Sequence, residues 1–324
     1  MPERQYASRP DDSPTDRRDR LLRLSLAAWI AVAGLLLLLA PPPPPPPVTT
    51  PEDEAIFQRT VDQTVERTRT WQVERGDKTI AWEHARGHLA IVIDDVGREL
   101  HLFEQLHALR FPLTFSVLPG SVYAAGAQLR LRADRRRYRE ILLHLPCEPE
   151  DPAKRLEGDE PGETFLRVGD PPERLQAALR AALNRVPGAV GVNNHMGSRL
   201  TGERAAMDAL MPELRARGLF FLDSQTTARS QGVAAAEAAG VPTLARDIFL
   251  DVDPAPGAVL AQLERAAERA RDRPTVIIAH PSPAVVEVLR EGLPRLHADG
   301  IGVYPLRELL DRRHAPPGSG PSAQ

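Results

Sequence analysis

The chain has 324 residues, enough for one large domain or two medium ones with a sizeable core. Its 41 Lys and Arg against 44 Asp and Glu leave a formal charge of −3, and the pI near 6.3 argues against a polyanion-binding surface, so nucleic acid is not an expected partner. The single cysteine, Cys147, excludes an internal disulfide framework and a multi-thiolate zinc site, which leaves His, Asp and Glu to hold any metal.

Residues 1–23 read as a cytoplasmic N-terminal segment that holds Arg9, Arg17, Arg18, Arg20 and Arg23. Residues 24–40, LSLAAWIAVAGLLLLLA, are uncharged and almost wholly apolar, and with Leu21 and Leu22 they approach the length that spans a bilayer. The segment beyond carries Arg59 against Glu52, Asp53 and Glu54, so the charge asymmetry puts the N-terminus in the cytoplasm. The expectation is a single-pass signal anchor in the inner membrane, with the rest of the chain on the outer or periplasmic side. A cleaved signal peptide is the alternative, but the apolar run is long for one and ends in prolines without an A-x-A-like site. Pro41–Pro47 predicts a stiff polyproline spacer of roughly 20 Å, at ~3.1 Å per residue. Residues 41–87 read as this linker plus a short helix carrying Ile56, Phe57, Val61 and Val65, and residues 313–324 as a disordered tail by composition.

Between them, residues 88–312 alternate short apolar runs with amphipathic helical patterns, which predicts β/α units around a parallel sheet or barrel. Strand candidates begin at Leu89, Leu113, Ile141, Ala189, Leu219 and Thr275, with a less clear run from Val241 and a short one from Ile301. The clearest helix is PPERLQAALRAALNRV, whose Leu175, Leu179, Ala182, Leu183 and Val186 form one apolar stripe that reads as core.

The polar residues that end these runs carry the chemistry: Asp94 and Asp95; His144; Asn193, Asn194 and His195; Asp223; Asp247 or Asp251; His280. In a β/α barrel the carboxyl ends of the strands converge on one face, so these groups would share a bowl. Adjacent carboxylates with histidines from neighbouring strands suit a divalent metal bound by His, His and Asp, with a spare carboxylate and a third histidine as base and acid. Taken singly, Asp223 also reads as a helix N-cap and the two asparagines as turn residues. His84 and His88 form an HxxxH, but before the first strand, at the opposite end from the other groups. His101, His107 and His297 lie in helical patterns and read as solvent-facing or boundary residues. No GxSxG, GxGxxG or GxxxxGK[ST] follows a strand, so nucleophilic serine and nucleotide chemistry are not indicated, and Cys147 near His144 reads as coincidence.

IVIDDVG (91–97), LLHLPCEP (142–149), GVNNHMGSRLT (191–201), FFLDSQTT (220–227), RDIFLD (246–251) and IIAHP (277–281) resemble, in this order, the divergent polysaccharide deacetylase family, a YibQ-like branch of the NodB-homology carbohydrate esterases. The resemblance implies a distorted (β/α)7 barrel and a metal-dependent hydrolase that removes N-acetyl groups from amino sugars. It implies Asp94 as base, Asp95 as metal ligand and His280 as general acid. Better-known relatives draw two ligands from one HxxxH, whereas here His144 is followed four residues later by Glu148. His195 is then the candidate second imidazole, with Glu148 a rival ligand or a partner for a ligating histidine. Asn194, Arg199, Asp223 and Asp247 or Asp251 are candidates for tuning the site or meeting substrate. The expected cofactor is a divalent ion, zinc first, although such a set also takes cobalt, nickel, manganese or iron. With the anchor, the expected substrate is a cell-envelope glycan. Two alternatives stand beside it: a non-catalytic glycan- or partner-binding protein, for which the lost HxxxH speaks, and an ester deacetylase.

Overall fold

The computed structural model describes residues 76–134, 137–151, 153 and 164–314, all within the unit Arg67–Gln324. The expected N-terminal segment, membrane anchor, polyproline spacer and Ile56–Val65 helix lie outside the described residues; of the tail expected over 313–324, residues 313 and 314 belong to the last helix and the rest lies outside the described residues. Among those described, no helix is long and apolar enough to cross a membrane.

Among the described residues, nine strands alternate with helices. In chain order they are β1 (Gly87–Val96), α1 (His101–His107), β2 (Thr114–Val117), α2 (Ala124–Ala133), β3 (Glu140–Cys147), α3 (Pro172–Arg185), β4 (Gly191–Met196), α4 (Arg204–Ala216), β5 (Phe220–Asp223), α5 (Gly232–Ala239), β6 (Thr243–Ala245), β7 (Ile248–Phe249), α6 (Pro256–Asp272), β8 (Thr275–Ala279), α7 (Pro283–Ala298), β9 (Ile301–Val303) and α8 (Leu306–His314). Helix boundaries follow local chemistry. The ring of Pro172 opens α3, the Ser282 hydroxyl accepts from Val285 N at the start of α7, and Gly240 closes α5 at φ 68, a conformation glycine adopts without a Cβ penalty.

Every strand pair is parallel, and the sheet order is β6-β5-β4-β3-β2-β1-β8-β7, with β9 against the start of β1. The expected seven-stranded barrel is met in part. The unclear run from Val241 is split: β6 pairs with β5, β7 pairs with β8, and no ladder joins β6 to β7 among the described residues. Only Arg246 and Asp247 separate the halves, and their amides donate to Asp223 O and to Val276 O, each at 2.9 Å. The curled sheet is thus an α/β half-barrel whose open seam lies inside one chain segment.

Strand alternation sorts side chains into two cores. Leu89, Ile91, Ile93, Phe115, Ile141, Leu143, Val192, Phe221 and Ile277 pack beneath the helices. Ala90, Val92, Leu142, Phe220, Leu222, Leu244, Val276 and Ile278 face the sheet interior, where Leu306, Leu309 and Leu310 of α8 join them as a plug. The stripe expected on α3 is buried as predicted, with Leu175, Leu179 and Val186 each at most 2% exposed.

Candidate metal centre

Continuing the interior set by one more alternation gives Asp94 after Val92, His144 after Leu142, Ser224 after Leu222 and His280 after Ile278. On β2 and β4, where Phe115 and Val192 face the helices, Ser116, Asn193 and His195 face inward. The carboxyl end of the interior is therefore polar by the same alternation that makes its middle apolar, and Asp94, Ser116, His144, Asn193, His195 and Ser224 are all buried.

Asp95 breaks the rule. By alternation it belongs under the helices, but the register of β1 against β2 shifts between Ile93 and Val96, and Asp95 adopts φ 55. This bulge with a left-handed residue turns a second consecutive carboxylate into the interior. Gly97, at φ 113, completes the turn; a Cβ there would collide with the Ser121 hydroxyl.

Three donor atoms converge: Asp95 Oδ1 lies 3.0 Å from His195 Nδ1 and 3.3 Å from His144 Nε2, and the two nitrogens are 3.2 Å apart. Edges of this length match bonds of roughly 2.0–2.2 Å to one ion, as zinc makes to nitrogen and oxygen. Asp95 Oδ1 is buried without a hydrogen bond of good geometry, although both imidazoles lie close enough to lower its pKa. A buried acceptor left unmet between two imidazole nitrogens fits a cation better than it fits a packed core. Arg98 closes the outer side, with one guanidinium nitrogen 3.0 Å from Asp95 Oδ2 and the other 3.2 Å from His195 Nε2.

The charges follow from this packing. Burial pushes the Asp94 carboxyl up, against the pull of His144, His280 and Asn193. Asp95 is largely rather than fully buried, and the two imidazoles override its desolvation and hold it well below the usual carboxylate range. Burial, reinforced by His144 and Arg98, pushes His195 down to about 4 despite Asp95. His144 goes the other way, because Asp94 and Asp95 outweigh burial. His280 faces Asp251, whose Oδ2 accepts from the His280 amide at 3.0 Å and lies 3.2 Å from its Nδ1. Burial would lower this histidine, but Asp251, with Asp95 and Asp94, carries it up to about 9.

The other sequence candidates fall elsewhere. Glu148 is not in the donor cluster: its Oε2 accepts from Val168 N at 2.7 Å and its Oε1 faces the half-exposed Arg199 at 3.3 Å, so both residues pin loops beside the site. Asn194 binds backbone, giving to Met196 O and accepting from Ser224 N, and holds the turns after β4 and β5 together. Asp223 accepts from Gln225 N and Ser230 Oγ and so holds the turn after β5; it is not the helix N-cap that its position also suggested, since Gln231 precedes α5. Of Asp247 and Asp251, only Asp251 meets His280; Asp247 accepts from Val276 N and faces Arg269 on the helix side. His88 stacks on Trp82 at 3.8 Å at the amino end of β1, away from the strand ends. His107, expected at the surface or boundary, is 4% exposed between Phe103 and Phe115, because α1 turns that face inward. Cys147 is buried, and that burial raises its thiol above the usual range.

Four residues escaped the sequence reading: Arg98, Ser116, Ser224 and Arg246. Ser116 and Ser224 carried a signal, as polar residues in phase with Asp94 and His144. Arg246 donates to Ser224 O at 2.7 Å and Gln225 O at 2.9 Å and lies over the Phe249 ring, a placement set by the split between β6 and β7.

A family profile described as divergent polysaccharide deacetylase matches residues 91–310. The uncharacterised protein YibQ of Escherichia coli K12 is 36% identical over 214 residues, 66% of this chain and 64% of that protein, so the match spans a little under two thirds of YibQ. An uncharacterised protein of Haemophilus influenzae is 34% identical over 220 residues, 68% of this chain and 75% of that one. An uncharacterised protein of Agrobacterium tumefaciens C58, of known crystal structure, shares the fold, with a TM-score of 0.61 and 23% identity over 70% of this chain and 93% of that one. The chain belongs to the divergent polysaccharide deacetylase family.

Proposed function

We propose that the chain is a metal-dependent hydrolase on a distorted (β/α)7 barrel, removing N-acetyl groups from an amino-sugar polysaccharide of the cell envelope. The observation that carries this reading is the convergence of Asp95 Oδ1, His144 Nε2 and His195 Nδ1, with Asp94 and His280 in phase at the same strand ends. Family membership supports the acetyl-sugar chemistry, and the apolar run 24–40 supports an envelope location outside the inner membrane.

Asp95, His144 and His195 would hold a divalent ion, zinc first, which when bound polarises a carbonyl and lowers the pKa of water. Asp94 is the base. Asn193 holds its Oδ1 at 2.9 Å, and its Oδ2, 3.6 Å from His144 Nε2, faces the donor cluster. It takes a proton as the water oxygen bonds to the acetamide carbon. His280 is the acid: raised to about 9 with Asp251 behind it, it is protonated at neutral pH and gives its proton to the departing nitrogen. The carbon–nitrogen bond breaks, and acetate and a free amino sugar result.

The test is acetate and amine release by the full-length protein from N-acetylated chito-oligosaccharides and from peptidoglycan, beside Asp94→Asn. Equal yields of both products, lost in the variant with metal retained, are expected. Acetate from O-acetyl esters without new amine would make the protein an ester deacetylase instead. A metal-loaded protein that releases acetate from neither would be a glycan-binding module.

A further inference from the structure

The centre of the polar cluster is an amide. Asn193 is fully buried, and all four hydrogen-bonding positions of its side chain are taken, each by a different segment. Its Oδ1 accepts from Ser116 Oγ of β2 at 2.5 Å and from His144 Nδ1 of β3 at 2.9 Å. Its Nδ2 donates to Asp94 Oδ1 of β1 at 2.9 Å and to Ser224 Oγ, just beyond β5, at 3.2 Å. We infer that Asn193 is the positioning residue of the site, one amide that fixes the metal-binding nitrogen of His144 and the base carboxylate of Asp94 relative to each other. This rests on the metal-hydrolase reading above, where Asn193 only meets the base, and extends its role to the metal-binding histidine.

The orientation of the amide is over-determined. Turned over, it would aim its oxygen at the buried Asp94 carboxylate, acceptor against acceptor, and its NH2 at His144 Nδ1. As placed, the oxygen receives Nδ1–H of His144, which leaves the Nε2 lone pair for the cluster at Asp95; a ligating histidine is commonly oriented by such a bond on its other nitrogen. The NH2 group engages one Asp94 oxygen and leaves the other toward the donor cluster. His144 and Asn193 are direct partners across the β3–β4 ladder, so the backbone register brings the amide to the imidazole. No other side chain of this size does both jobs. Aspartate keeps the acceptor beside His144 and lacks the donor for Asp94, and leucine has neither.

That difference makes the test. In the full-length protein, zinc affinity is measured by chelator competition, the absorption spectrum is recorded with cobalt, and acetate release is measured at saturating zinc from N-acetylated chito-oligosaccharides. Asn193→Leu is expected to weaken zinc about 10–100-fold and to alter the cobalt spectrum, while Asn193→Asp stays close to the parent in both. With zinc saturating, both variants are expected to lose about 100-fold or more in kcat with little change in KM, since the base is no longer held. An amide that only fills the core would lower the melting temperature and leave zinc affinity and kcat as in the parent. That result, Asn193→Asp losing zinc as badly as Asn193→Leu, or Asn193→Asp keeping kcat overturns the inference. Should Asn193→Leu fail to fold, Asn193→Asp decides alone: zinc kept with kcat lost supports the inference, and any other pattern overturns it. If the parent binds zinc but releases no acetate, catalysis fails as a reading and the zinc ordering of the two variants alone decides this one. If the parent binds no metal, both fall.

Discussion

The two ends of the sheet interior are walled by the same alternating positions, yet one end is a plug and the other a candidate metal centre. At the amino end, Glu140 of β3 is 1% exposed, but its carboxylate accepts from Thr114 Oγ1 at 2.8 Å and from Arg307 N at 3.1 Å, capping α8. At the carboxyl end, Asp95 Oδ1 is buried with no hydrogen bond. The backbone differs in the same sense. Among the described residues, the non-glycine positions with positive φ are Asp95, Met196 and Gln225, at 55, 53 and 52°, all just at or beyond the carboxyl ends of strands. Burial of a carboxylate therefore does not distinguish the two ends. What distinguishes them is a buried acceptor left unmet on a backbone held in a sparsely populated conformation, a cost of order 1–3 kcal/mol for each such residue that the surrounding fold has to offset.

The contrast can be broken from either end. The largest effect is expected at Asp94: Asp94→Asn should lower turnover by ~10²–10⁴-fold with metal content unchanged, and loss of the metal would show that the two aspartates have been given each other's roles. Next is Asp251→Asn. Because the pKa of His280 is raised to about 9 from 6.5, the proton needed for the leaving amine is present below that pH and lost above it. The stability this charge contributes is likewise full below about 6.5 and lost as pH rises through about 9. Asp251→Asn should move the alkaline limb of the kcat profile down toward the ordinary histidine range; an unmoved limb would remove His280 as the acid. At the plug, Glu140→Ala should cost about 2 kcal/mol, a fall of roughly 4–8 °C in melting temperature, with zinc affinity and kcat intact. Loss of metal in that variant would mean that the two ends are not independent. The smallest effect belongs to Arg199→Ala: its pair with Glu148 is half-exposed, so stability should change by less than about 1 kcal/mol.

Much of this was legible in the sequence because alternation is a local property. Once Val92, Leu142 and Ile278 face the interior, Asp94, His144 and His280 must follow, and the run endings alone bring them together. Asp95 was legible as a residue but not as a direction, since a bulge decides where it points and the bulge depends on how β1 meets β2. The roles of Glu148 and Asp247 depend on loop and helix partners far away in sequence, Val168 and Arg269, which no local pattern announces. The split of the sixth strand was visible only as an unclear run. The burial of His107 depends on Phe115, a residue of the neighbouring strand.

The central claim is that the unmet Asp95 oxygen and two imidazoles hold a metal. Its most direct test is metal content of the purified full-length protein by elemental mass spectrometry, beside His144→Ala, His195→Ala and Glu140→Ala. About one divalent ion per chain is expected in the parent and in Glu140→Ala, and none in the two histidine variants. A parent that stays empty after reconstitution with zinc, cobalt, nickel, manganese and iron, or histidine variants that keep the ion, would contradict it.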